Sequence, residues 1–198
     1  TGGAAVKYDL ILAGVGGQGV LSVAAIIALG AMSDGLKVRQ SEVHGMAQRG
    51  GAVQAHLRLS DRLIVSDLIG QASAQMVLSM EPLEALRYLS YLEVRGVLVS
   101  SADPLENISD YPQPEKIYSA IRALPRACLI EASALARQAG SSRCTNMVMV
   151  GAAAGYLPVK QESLIAAIED FFARKGKNVV QRNLEAFRLG RQVGGSAG

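Results

Sequence analysis

The sequence predicts an α/β domain, and three of its stretches carry that prediction. Residues 8–13 (Tyr-Asp-Leu-Ile-Leu-Ala) read as a buried strand that runs into a tight glycine turn, Gly14-Val15-Gly16-Gly17-Gln18-Gly19. Residues 20–32 follow at once, nearly unbroken in apolar and small residues, and read as a helix buried on most of its circumference. Residues 52–60 alternate strictly: Val53, Ala55, Leu57 and Leu59 fall on one face, and Gln54, His56, Arg58 and Ser60 on the other. That pattern is a strand with one wet face, antiparallel or near an edge. Together these stretches describe a Rossmann-like, mostly parallel sheet with flanking helices, at least one antiparallel or edge strand, and a helical C-terminal part.

The length of 198 residues suits a single domain over residues 1–198, with an α/β core at 6–140, C-terminal helices at 141–192 packed on it, and flexible ends at 1–5 and 193–198. With 49% hydrophobic and 19% charged residues the chain can fill a large core. Trp is absent and aromatics are few, so that core must be built from Ala, Val, Leu, Ile and Met. A formal charge of +3 and a pI near 9.0 come with no Lys/Arg block, which argues against a nucleic-acid partner. Two cysteines, Cys128 and Cys144, are too few for a metal site or a disulfide framework and are expected as free thiols in a reducing compartment. Cys128, in an apolar run, is expected in the core; the polar neighbours of Cys144 leave its place open. Residues 20–32 are too short for a membrane span and no signal peptide precedes them, so a cytoplasmic protein with no membrane partner is expected.

The rest of the chain follows in order. Ser33-Asp34-Gly35 breaks the first helix, and residues 36–40 begin a second strand. Residues 41–51 (Ser-Glu-Val-His-Gly-Met-Ala-Gln-Arg-Gly-Gly) read as a polar loop. Residues 63–65 and 75–80 are short strand candidates, and residues 83–91 a helix started by Pro82 and Glu84. Residues 96–99 are a further buried strand; residues 101–114, with three prolines, an irregular loop. A helix at 115–124 stopped by Pro125, a strand at 127–132 and a short helix at 135–139 closed by Gly140 complete the α/β part. Residues 145–156, rich in small residues and Met, favour close helix packing. Residues 161–175 put Leu164, Ile165, Ile168, Phe171 and Phe172 on one face, and residues 178–189 repeat the arrangement with Val180, Leu184 and Phe187.

The glycine turn is where ligand chemistry is expected. Gly14 and Gly16 let the backbone bend and leave the helix N-terminus uncovered, so its N–H groups can face an anion. Gly19 lets the helix lie close to the strand. The spacing also fits G-x-G-x-x-G, for which a dinucleotide fold would add an acid at the end of the second strand; Glu42 stands roughly there. The glycine-bearing loop after Glu42 is foreign to such a fold, and no acid/base set of a dehydrogenase is evident.

Three ordered stretches carry a family likeness: Gly14 to Gly19, Arg49-Gly50-Gly51 ahead of the alternating strand, and Asn183-Leu184-Glu185-Ala186-Phe187-Arg188-Leu189-Gly190. The chain resembles the gamma domain of the 2-oxoacid:ferredoxin oxidoreductases over roughly residues 8–190. Ser79-Met80-Glu81-Pro82-Leu83-Glu84-Ala85-Leu86-Arg87 and Asn146-Met147-Val148-Met149-Val150-Gly151-Ala152 are similar to the branch acting on indolepyruvate. The resemblance implies a subunit, not catalytic alone, in the conversion of an arylpyruvate, coenzyme A and oxidised ferredoxin to an aryl-acetyl-CoA, carbon dioxide and reduced ferredoxin. It implies thiamine diphosphate, Mg²⁺ and [4Fe-4S] clusters on a partner alpha subunit, since this chain has neither a thiamine motif nor a cysteine series. Neighbouring branches handle pyruvate, 2-oxoglutarate or branched-chain 2-oxoacids.

With no catalytic residue and no metal expected, the candidate binding residues are Gly14, Gly16, Gly17, Gln18, Gly19, Arg49, Gly50 and Gly51, facing CoA. Each has a plain alternative. The turn can serve strand–helix packing alone, and Arg49 can be a surface arginine held by a carboxylate. His44 is a proton carrier or a hydrogen-bonding spacer, His56 structural or interfacial, and Asn146 a helix cap or a ligand contact.

Overall fold

The computed structural model describes residues 5–44, 51–106 and 108–195, the side chains of Val43 and His44 excepted. Six strands of the described residues form one sheet: β1 (Lys7–Val15), β2 (Lys37–His44), β3 (Ala52–Ser60), β4 (Ala74–Ser79), β5 (Leu92–Ser101) and β6 (Ala127–Ile130). Their spatial order is β2-β3-β1-β4-β5-β6. β4, β5 and β6 run parallel to β1, whereas β3 is antiparallel to both of its neighbours, β1 and β2. β1 carries an unbroken apolar run because it is covered on both faces.

Among the described residues, seven helices cover the sheet: α1 (Val20–Ser33), α2 (Pro82–Arg87), α3 (Pro114–Arg122), α4 (Ala132–Gln138), α5 (Thr145–Ala153), α6 (Gln161–Phe172) and α7 (Lys177–Val193). The period-two alternation of the strands sorts them onto two faces. Leu10, Leu12, Leu57, Leu59, Met76, Leu78 and Val99 meet the helices α1, α4, α5, α6 and α7. Ile11, Val77 and Leu98 meet α2, α3 and Ile69. α1 leads from β1 to one side of the sheet, and the β4–α2–β5–α3–β6 run leads to the other. The strand order therefore reverses between β1 and β4.

Several sequence expectations are corrected. β2 extends to His44, so residues 41–44 are strand rather than loop; each pairs with β3, ending at His44 opposite Val53. Residues 63–65 are not a strand, having no partner in the sheet, and Leu63 and Val65 are exposed. The helix expected over 83–91 is two pieces, α2 and a 3₁₀ turn at Leu89–Tyr91. α1 is less enclosed than its composition suggests: Leu21, Leu29 and Met32 are 40%, 41% and 60% exposed. Cys128, expected in the core, is half-buried beside Val193, whereas Cys144, whose place the sequence leaves open, is buried because it leads into α5, buried from Met147 to Ala153. The loose tail expected from residue 193 is packed through Gly195, against Ala152 and Tyr156.

The face of β3 expected to be wet is covered. Segment 61–73 folds back over it, so His56 is buried and its Nδ1 accepts the Ile69 N–H at 2.9 Å. With Nδ1 accepting, the neutral ring carries its proton on Nε2, which faces the Gln54 amide group at 2.9 Å and requires that amide to turn its oxygen, not its Nε2, toward the ring. Tyr91 packs edge-on against the ring. Burial, and secondarily the Arg58 charge, hold His56 below the ordinary histidine value. A group with a depressed native pKa contributes its stability fully above the unfolded value, near 6.5, and loses it as pH falls through the native one. The urea midpoint of the wild type is therefore expected to fall between pH 7 and pH 5 more steeply than that of His56→Gln. Equal slopes would remove His56 as the cause.

Candidate functional site

The reversal of strand order places a crevice at the carboxyl ends of β1 and β4, where open α/β sheets bind their ligands. It has a volume of about 300 Å³ and is lined by Gly17, Gln18, Gly19, Met80, Asp103, Ser133, Ser142, Arg143, Thr145 and Asn146. The lining residues come from the segments that follow parallel strands, from the 3₁₀ turn Ser142–Cys144 and from the start of α5. β1 supplies the glycine turn, β4 Met80, β5 Asp103, and β6 Ser133 at the start of α4.

The turn is held by the side chain of Gln18. Its Oε1 accepts the Val15 N–H at 2.8 Å and its Nε2 donates to the Met80 carbonyl at 3.2 Å, fastening the turn to the end of β4. Gly17 and Gly19 have φ of 103° and 81°, a backbone region that favours glycine. Gly19 is the residue before α1 and carries no side-chain cap; its carbonyl accepts the Ser22 and Val23 N–H groups, which leaves those of Val20 and Leu21 at the start of this 14-residue helix, next to the crevice-lining Gly19. Its near neighbour is the Asn146 side chain rather than the strand: a Cβ on Gly19 would lie 3.1 Å from Asn146 Nδ2.

The other glycines act behind the crevice. Gly14 lies within β1 opposite Val53, and a Cβ there would stand 2.9 Å from Val20 Cγ2 and 3.0 Å from Gln18 Oε1. The Gly16 N–H is taken by the Gly51 carbonyl at 2.9 Å, so it does not offer itself to an anion. The same bond brings Gly51 against the turn, as the family likeness of both stretches suggests. Arg49 and Gly50 lie outside the described residues. Asn146 is not the N-cap of α5, which is Cys144, but the second residue of the helix, with its Oδ1 accepting the Met147 N–H at 3.0 Å. Glu42 is far from the turn in the sheet: β3 stands between its strand and β1, about 10 Å at two strand spacings. A nicotinamide-type ribose acid needs a neighbouring strand, so this topology opposes the dehydrogenase reading.

Sequence reasoning gave no role to Asp103 and Arg143, which line the crevice, nor to Glu81 and Tyr111, which do not line it. Asp103 follows β5; its Oδ2 accepts from the Ser101 hydroxyl at 2.7 Å and from the Ser133 N–H at 2.8 Å, capping α4 from outside the helix. Arg143 is exposed on the opposite wall. Glu81, 1% exposed, accepts the Glu84 N–H at 2.7 Å to cap α2, the Leu105 N–H at 3.3 Å and the Tyr111 hydroxyl. Burial, then that bond to Glu81, drive the Tyr111 phenol far above its ordinary value, so it remains a donor. The available signal for Glu81 was an acid followed by Pro at a helix start; for Asp103 it was position at a strand end.

Among the described residues the crevice therefore offers the start of α1, the amide of Asn146, several hydroxyls and Arg143, and the carboxylate of Asp103 is already engaged. That set suits a phosphate-bearing ligand better than a proton-transfer reaction. Among the described residues no group of three or more His, Cys, Asp or Glu could hold a metal ion, and no helix is long and apolar enough to cross a membrane.

A doubly wound sheet with an anion-suited crevice at its switch point defines the broad class, an α/β domain of ligand-binding type. The chain belongs to the pyruvate ferredoxin/flavodoxin oxidoreductase family, which matches residues 9–193, and it is thus a subunit of an oxoacid oxidoreductase. It is 35% identical to the indolepyruvate oxidoreductase subunit IorB of Archaeoglobus fulgidus, over 93% of this chain and 94% of that one. It is 30% identical to the 2-oxoglutarate synthase subunit KorC of Methanothermobacter marburgensis, over 95% of this chain and 97% of that one. Among solved structures it superposes with a TM-score of 0.76 on the 2-oxoglutarate:ferredoxin oxidoreductase of Magnetococcus marinus, which holds 2-oxoglutarate, coenzyme A and succinyl-CoA. At 22% identity that likeness speaks for the fold; it covers 94% of this chain, which spans 31% of that protein's chain.

Proposed function

We propose that this chain is the smaller subunit of an indolepyruvate:ferredoxin oxidoreductase and that its switch-point crevice faces coenzyme A. The complex would convert an arylpyruvate and CoA to an aryl-acetyl-CoA and carbon dioxide, passing two electrons to ferredoxin. The observation that carries this reading is the join of two facts. The likeness to an indolepyruvate oxidoreductase subunit runs nearly end to end, and the crevice presents the open N-terminus of α1 beside Asn146, Ser142 and Arg143.

The residues of this chain do not fit the redox groups of such a reaction. Two cysteines cannot supply the four thiolates of a [4Fe-4S] cluster, and we assign the clusters, thiamine diphosphate and Mg²⁺ to a partner alpha subunit. They do fit the phosphates of CoA, which brings the thiol that accepts the acyl group. In this reading the N-terminus of α1 and Asn146 bind, Arg143 neutralises charge, and Gln18 positions the turn without touching the ligand. Gly17 and Gly19 let the backbone approach, and Gly51 is bonded to the turn at Gly16; Arg49 and Gly50 keep the CoA-binding role that the family likeness implies. A second substrate class, 2-oxoglutarate, is favoured by the similar subunit of Methanothermobacter marburgensis.

Co-expression with a thiamine- and cluster-binding partner tests this. Indolepyruvate should drive viologen reduction only with both chains and CoA present. Preference for 2-oxoglutarate or pyruvate would move the protein to a sister branch, and turnover by the isolated chain would refute a subunit role. Gln18→Ala removes two hydrogen bonds that together hold the turn at about 1–2 kcal/mol. It is expected to raise the KM for CoA about tenfold with the KM for indolepyruvate unchanged.

A further inference from the structure

A second recess lies on the far side of Arg143 from the crevice. Its volume is about 250 Å³, and its lining is Ser141, Arg143, Cys144, Phe172, Lys175, Val179, Arg182 and Asn183. Three of these carry positive charge and none carries negative charge. Among the described residues, neither Arg143, Lys175 nor Arg182 has a carboxylate within ion-pair distance. Contrast the arginines Arg39, Arg58, Arg87 and Arg188, each paired with an acid.

The three cations come from three different elements and are placed by independent means. Arg143 sits in the 3₁₀ turn Ser142–Cys144, whose N–H is held by the Ser141 hydroxyl oxygen at 3.3 Å. Lys175 ends the turn after α6 and lies 5.3 Å from the centre of the Phe172 ring. Arg182 projects from α7 along Gly140, where a Cβ would stand 3.6 Å from its Nε. The floor is fixed: Cys144 and Asn183 are both 3% exposed, and the Asn183 amide donates to the Val179 carbonyl at 2.8 Å. Like charges gathered around one recess repel one another, and an anion of matching size relieves that repulsion.

We propose that Arg143, Lys175 and Arg182 form a phosphomonoester subsite, continuous through Arg143 with the crevice at the glycine turn. A ligand filling both would carry two separate phosphate groups on one scaffold. CoA does so, with a diphosphate at the 5′ position and a monoester at the 3′ position of one ribose, so the inference rests on the CoA reading and deepens it. The glycine turn takes the diphosphate, and the recess selects CoA over ligands that lack the 3′-phosphate.

Dephospho-CoA separates the two levels. In the co-purified complex, wild type should show a KM for CoA at least tenfold below that for dephospho-CoA. The double variant Lys175→Gln/Arg182→Gln should raise the KM for CoA about tenfold or more, leave that for dephospho-CoA within twofold, and leave kcat unchanged; Arg182→Lys should retain most of the discrimination. Equal weakening of both ligands, or a wild type that does not distinguish them, would overturn the subsite while leaving CoA at the crevice. A double variant that no longer co-purifies with its partner would overturn it in favour of an acidic protein contact. Turnover that needs no CoA would end both this inference and the reading beneath it.

Discussion

Gly190→Ala is expected to destabilise the chain by about 3 kcal/mol or more, against the sign that helix propensity gives. In an exposed helix interior the same change stabilises by up to about 1 kcal/mol. Here a Cβ on Gly190 would lie 1.9 Å from the Val148 carbonyl oxygen, and a Cβ on Gly151 only 2.0 Å from that of Phe187. The two glycines are reciprocal: α5 and α7 cross so closely that each backbone occupies the other's side-chain space. Neither backbone can yield alone, because residues 147–153 are all buried and their displacement would open the core beneath them. Against a total of about 5–15 kcal/mol for a domain, the change removes a large share. Gly30, also helical, gives the control: its nearest obstacles are the methyl groups of Leu164 and Val159, at 3.0 and 3.2 Å, which can turn aside. Urea midpoints should therefore fall much further for Gly190→Ala than for Gly30→Ala. A Gly190→Ala protein as stable as wild type would show that the helices separate at little cost.

That seam also shows what could be read from the sequence and what could not. The small residues of 145–156 called for a close helix neighbour, and the run from Asn183 to Gly190 was singled out as a family signature; the structure joins the two as opposite sides of one contact. Periodicity reported each helix but not the pairing, since nothing local in either segment names its partner. The glycine turn was legible because strand, turn and helix are contiguous. The rest of the crevice was not, because Asp103, Ser133 and Arg143 arrive from three distant segments whose convergence depends on strand order. The insertion of β3 between β1 and β2 hid in the same way: strict alternation announced an antiparallel strand, while its place in the sheet was a tertiary fact.

Arg58→Ala should cost about 3 kcal/mol, and the covered face of β3 explains why. The Arg58 guanidinium grips Asp9 at both oxygens, Nε to Oδ1 at 2.9 Å and Nη2 to Oδ2 at 3.0 Å, while Nη1 donates to the carbonyls of Ser66 and Leu68 at 3.0 Å each. The Asp9 side chain is 2% exposed, so truncating Arg58 leaves a buried carboxylate whose remaining cation, Lys7 at 3.4 Å, stands mostly in solvent at 59% exposure. Truncation also frees the fold-back of segment 61–73, whose Ile69 N–H is bonded to His56. Two measurements should move together: the urea midpoint falls, and amide exchange at Ile69 accelerates more than exchange in β1. Replacing the pair by apolar residues, Asp9→Leu with Arg58→Leu, removes the stranded charge and should recover part of the midpoint but none of the exchange protection, because the carbonyls of Ser66 and Leu68 still lack their donor. If the double replacement were worse than Arg58→Ala alone, the cost would lie in the packing of the arginine stem rather than in an uncompensated Asp9.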